Sequence, residues 1–70
     1  MSAYKVIQVV GTSPKSWEDA TQAAVSAAAK SLRDLRIAKV IEMDVSVDKK
    51  GKITQYRVKV DLSFKYELGG

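Results

Sequence analysis

Seventy residues with a net charge of +4 and a pI near 9.5 make one small domain, of a size that buries only about 60% of its unfolded surface. The chain has no Cys and no His, which excludes disulfide staples, thiolate zinc sites and imidazole chemistry, and no Ser has a partner base, so catalysis is not expected. Oligomerisation is then the remaining route to stability.

Tyr4 to Val10 is a β-branched run read as the first strand, ended by Gly11. The turn Gly11-Thr12-Ser13-Pro14 follows. Ser16 with Asp19 three residues later approximates a capping box, and an alanine-rich helix is predicted from Trp17 to Leu35. Its apolar stripe takes in Ala20, Ala24, Val25, Ala28, Leu32 and Leu35. The second strand, Ala38 to Asp48, alternates Ile41, Met43, Val45 and Val47 against Glu42, Asp44, Ser46 and Asp48. Lys49-Lys50-Gly51-Lys52 turns the chain, with Gly51 expected at positive φ.

The last strand, Ile53 to Tyr66, is the longest periodic run. Tyr56, Val58, Val60, Leu62, Phe64 and Tyr66 fall on one side and Gln55, Arg57, Lys59, Asp61, Ser63 and Lys65 on the other. Such a strand spans roughly 46 Å, beyond the roughly 20 Å usual in a small domain. The overhanging apolar half, with Phe64 and Tyr66 at its end, needs a surface from elsewhere, and a second copy is the nearest source. Pairing Asp48 with Ile53 sets Asp44 against Arg57, Glu42 against Lys59 and Met43 against Val58. The fold class is α+β: β-α-β-β, with a three-stranded antiparallel sheet in the order 1-3-2 wrapped around one helix. Gly69 and Gly70 read as a loose tail. Residues 1–70 form one domain, and no apolar N-terminal segment reaches the length of a signal peptide or membrane span, so a cytoplasmic protein with no membrane partner is expected.

The opening Tyr4-Lys5-Val6, the Val10-Gly11-Thr12-Ser13 turn, Phe64 near the end of the closing strand and the short β-α-β-β order together resemble the dodecin family over nearly the whole chain. The resemblance implies a hollow homododecamer that binds or stores small ligands, a particle of roughly 90 kDa from a 7.7 kDa chain. Flavin-binding dodecins carry a stacking Trp after the helix and a Gln in the last strand; the matching positions here are Ile37 and Arg57. An aliphatic side chain lacks the stacking worth roughly 0.5 to 1.5 kcal/mol per aromatic contact, and a guanidinium donates hydrogen bonds but accepts none. The Arg36–Glu42 and Ser13–Glu18 stretches are instead similar to the calcium dodecin variant. That similarity makes calcium the implied cofactor and disfavours FMN or riboflavin.

Glu42, Asp44 and Asp48 are the acidic row that offers oxygen ligands to a hard cation, with Glu42 the first candidate and Asp44 the second. Cross-strand pairing with Arg57 and Lys59 explains the same row without a metal. Trp17 reads as helix packing ahead of a displaced flavin platform, and the lysine loop as a solvated hairpin ahead of a phosphate contact. The functional reading is a non-enzymatic calcium-type dodecin, with flavin storage as the alternative. A small basic nucleic-acid-binding module is a second alternative, supported only by net charge and lacking the stacked aromatics such modules use, so no nucleic acid partner is expected.

Overall fold

The computed structural model describes residues 2–66; the Gly69-Gly70 tail and the side chain of Tyr66 lie outside the described residues. The elements run β1 (Ala3–Ser13), α1 (Trp17–Ala29), β2 (Leu35–Val47) and β3 (Ile53–Tyr66). The strands form one antiparallel sheet in the order β1-β3-β2, and α1 packs mainly over β1 and β3. Val58, Val60 and Leu62 of β3 meet Ala20, Ala24 and Ala28 of α1 in the buried core. Among the described residues no helix is long and apolar enough to cross a membrane.

Gly11 does not end the first strand. β1 continues through it to Ser13, paired with β3 from Ala3↔Tyr66 to Ser13↔Tyr56. The glycine is there because the helix crosses it closely: a Cβ would collide with the Ala20 carbonyl and lie 2.9 Å from the Ala24 Cβ. A glycine inside a strand commonly marks such an approach of two backbones.

α1 starts where expected, with the Ser16 hydroxyl accepting the Asp19 amide at 3.0 Å. The Asp19 carboxylate accepts the buried Ser13 hydroxyl at 2.6 Å, tying the helix start to the end of β1. The helix stops at Ala29 rather than Leu35. Ser31 and Leu32 amides both return to the Ala28 carbonyl, and Asp34 adopts a left-handed φ of 56° that swings the chain into β2. Asp tolerates that region better than most residues. Leu32 and Leu35 still pack against the core, as loop and strand residues instead of helical ones.

β2 starts at Leu35, ahead of the expected Ala38, and the register with β3 shifts at Arg36, at Ile41 and after Ser46. Asp44↔Arg57, Glu42↔Lys59 and Met43↔Val58 pair as expected, whereas Ile53 meets Val47 and not Asp48. Strict alternation would set Ile37 on the same side as Met43. The extra residue at Ile41 reverses this, so Ile37 lies opposite Ser63, on the face that carries Glu42 and Asp44.

β3 spans 14 residues and α1 only 13, lengths of about 46 Å and about 20 Å respectively. The helix therefore covers less than half of the sheet. Met43 and Val47, on the inner face of β2, are 52% and 58% exposed.

Candidate functional site

The sheet face turned away from α1 carries the charged side chains of β2 and β3 beside the exposed Val6, Val10 and Ile37, and it holds a depression lined by Val10, Glu42, Asp44, Arg57 and Lys59. The strand pairing brings these together: Lys59 of the central strand has Val10 on one side and Glu42 on the other, and Arg57 has Thr12 and Asp44. Two ion pairs cross from β3 to β2. Arg57 Nε donates to Asp44 Oδ1 at 2.7 Å and Arg57 Nη2 to Asp44 Oδ2 at 3.3 Å, so both carboxylate oxygens are engaged. Lys59 Nζ lies 3.0 Å from Glu42 Oε1. The hydrogen bond and the negative charge of Asp44 raise the Arg57 pKa, against a smaller lowering by desolvation, so the guanidinium stays charged at every pH the fold meets.

Asp48 leaves the acidic row. Its Oδ1 accepts the Lys50 and Lys52 amides, both at 2.9 Å, and so closes the hairpin, while Gly51 takes a φ of 80° as expected. An Asp side chain bonding amides ahead of it is what makes this residue a turn former. Glu42 and Asp44 remain as the outward-facing carboxylates of β2, and among the described residues no group of three or more acidic side chains lies together as a metal site.

Trp17 packs edge-on against Tyr56, ring centroids 5.1 Å apart at 76°, which favours the packing reading. Its indole Nε1 also donates to the Asp44 main-chain carbonyl at 3.2 Å. That bond links the helix start to the strand position whose side chain holds Arg57. Reading Trp17 as helix packing leaves this contact out, since no local signal names a partner 27 residues away.

Ile37 is 59% exposed on the outer face, with Ser63 between it and Val6. It shares that face with Arg57, but the two are not neighbours: their β3 positions, 63 and 57, are separated by roughly 20 Å of strand. Within one chain Ile37 and Arg57, the two positions that the resemblance matches to a flavin site, therefore lie toward different ends of the sheet.

The dodecin family model matches residues 3–67. The calcium dodecin of Mycobacterium tuberculosis is 57% identical over 65 residues, covering 93% of this chain and 90% of that protein. The dodecin of Thermus thermophilus is 36% identical over 64 residues, covering 91% of each. The crystal structure of the M. tuberculosis protein, described as calcium chelating with a novel calcium-binding site, aligns with a TM-score of 0.83 at 51% identity, over 99% of this chain and 97% of that one.

Proposed function

The chain belongs to the dodecin family, and from that premise we propose that it is a non-enzymatic, cytoplasmic small-ligand-binding shell of twelve copies, of the calcium type rather than the flavin type. The shell is supported by the uncovered inner row of β2, since Met43 and Val47 stand open to solvent where a neighbouring copy would cover them. The observation that carries the calcium type is the outward pair Glu42 and Asp44, set in a chain 57% identical to a calcium dodecin. Ile37, exposed and without a π face, argues in the same direction against a flavin stack.

Calcium takes about six to eight hard oxygens, of which the described residues of one protomer bring together only two carboxylates. One protomer contributes the two carboxylates, each already facing a cation at 2.7 Å or 3.0 Å. The other oxygens must come from water or from a neighbouring copy. Native mass spectrometry tests the shell, with twelve copies expected and a folded monomer or dimer at micromolar concentration overturning it. Calorimetric titration with Ca²⁺ tests the ligand: Glu42→Gln and Asp44→Asn lose affinity if these residues are ligands and lose only modest stability if they are ion-pair partners alone. A wild-type protein with no calcium heat and no calcium-dependent rise in Tm removes the metal.

A further inference from the structure

We propose that the hairpin turn between β2 and β3 is a contact site for the phosphate backbone of duplex nucleic acid, held by charge alone through Lys49, Lys50 and Lys52. The inference stands apart from the calcium reading: neither the acidic pair nor a metal enters it. Three of the chain's twelve cationic side chains fall in this one turn, against a net charge of +4. All three are exposed, and among the described residues none is in an ion pair. The other dense group of cations, Lys30, Arg33 and Arg36, is spread over a longer stretch and gives up Arg36 to Asp34 at 3.8 Å.

The turn's own acid is used inward. Asp48 Oδ1 accepts the Lys50 and Lys52 amides at 2.9 Å each, the Asp48 amide donates to the Lys52 carbonyl at 2.9 Å, and the Gly51 amide donates to the Asp48 carbonyl at 3.0 Å. The carboxylate is thereby kept on the backbone and out of reach of the ammonium groups. These bonds also spend the amides of Asp48, Lys50, Gly51 and Lys52, so no cradle of free N–H groups is left to grip a single phosphate. What the turn offers outward is a compact group of positive charges on a closed frame, spaced on the order of the 8 Å screening length of physiological salt. Such a group suits an extended polyanion. Duplex nucleic acid presents one negative charge per about 1.7 Å of its axis, and cations bind it by releasing its counterions, whatever the base sequence.

Position and composition favour the duplex over other anionic surfaces. The start of α1 meets the sheet at Tyr56 and Asp44, and the strands run on from there to the turn by about 13 Å, clear of the helix. Residues 48–52 include no aromatic or aliphatic side chain, which leaves nothing to stack on an unpaired base or to enter a bilayer. Missing aromatics weigh against single-strand readout, but backbone contact does not use them.

Fluorescence anisotropy of a labelled duplex DNA, titrated with the wild-type protein, reads the contact. Affinity should fall roughly fortyfold between about 50 and 200 mM NaCl if one turn engages three phosphates, and more steeply as further copies engage. Replacing the three lysines together, Lys49→Gln, Lys50→Gln and Lys52→Gln, should weaken binding at the lower salt by about tenfold or more. The triple variant Lys15→Gln, Lys30→Gln and Arg33→Gln makes the same change of charge at exposed positions off the turn, and it should stay within about threefold of wild type. A wild type that does not bind at the lower salt, or binds without regard to salt, overturns the inference before any variant is made. Equal weakening in the two triple variants reduces the effect to bulk charge and overturns it as well. Single-stranded DNA bound about tenfold tighter than duplex would assign the contact to bases, and vesicles of phosphatidylcholine with phosphatidylserine binding in preference to duplex would assign it to lipid; either result sinks the proposal.

Discussion

The inner faces of β3 and β2 carry the same kind of alternation and meet different fates. In β3, Val58, Val60 and Leu62 are sealed under the alanine face of α1. One strand over, Met43 and Val47 repeat the pattern and remain open, because the helix ends at Ala29 and lies over β1 and β3. Period-two alternation thus tells which side of a strand wants burial, but not what supplies the cover. In the first region the cover is the chain's own helix; in the second the proposed cover is another copy.

Five experiments would break or sharpen that contrast. Val60→Glu puts a charge with no partner into a fully buried position, at a cost of several kcal/mol. No helical circular dichroism should survive at any protein concentration. Met43→Glu attacks the open row instead, so folding should persist at high concentration, with smaller species in native mass spectra and a Tm that falls on dilution. A Tm independent of concentration would mean that β2 has no partner to lose.

Gly11→Ala tests the closeness of the covered side. Its Cβ would be forced against the Ala20 carbonyl and the Ala24 Cβ, and overpacking of this kind costs roughly 1 to 3 kcal/mol, read as a lowered denaturation midpoint with unchanged oligomeric mass. Ile37→Trp combined with Arg57→Gln should produce measurable quenching of flavin fluorescence where the wild type gives little. A single new stacking contact of roughly 0.5 to 1.5 kcal/mol corresponds to about twofold to twelvefold in affinity. The smallest effect belongs to the exposed Glu42–Lys59 pair: a double-mutant cycle with Glu42→Gln and Lys59→Gln should give a coupling below about 1 kcal/mol.

Local chemistry was enough to read much of the site. The charge match that sets Asp44 against Arg57 and Glu42 against Lys59 is legible because cross-strand partners share a face and the four residues admit one good register. Asp48 was misread as part of the acidic row because its i, i+2 spacing continues the alternation, while its side chain is used by the hairpin amides. The Trp17 bond to Asp44 was invisible for a different reason: it depends on where the helix start lands relative to an edge strand.

The amino-acid sequence by itself determined β3, the helix start at Ser16 and the positive φ at Gly51, since each follows from periodicity, capping or turn chemistry within a few residues, and the strand order followed from the handedness of the crossover. Tertiary structure decided the rest. The helix yields at Ala29 because the left-handed turn at Asp34 lets Leu35 enter the sheet opposite Phe64, and strand pairing outweighs another turn of helix. Gly11 is a point of helix contact and not a strand end because Ala20 and Ala24 pass over it. The extra residue at Ile41 turns Ile37 outward onto the face of the acidic pair, a change of side that no strictly alternating pattern can announce.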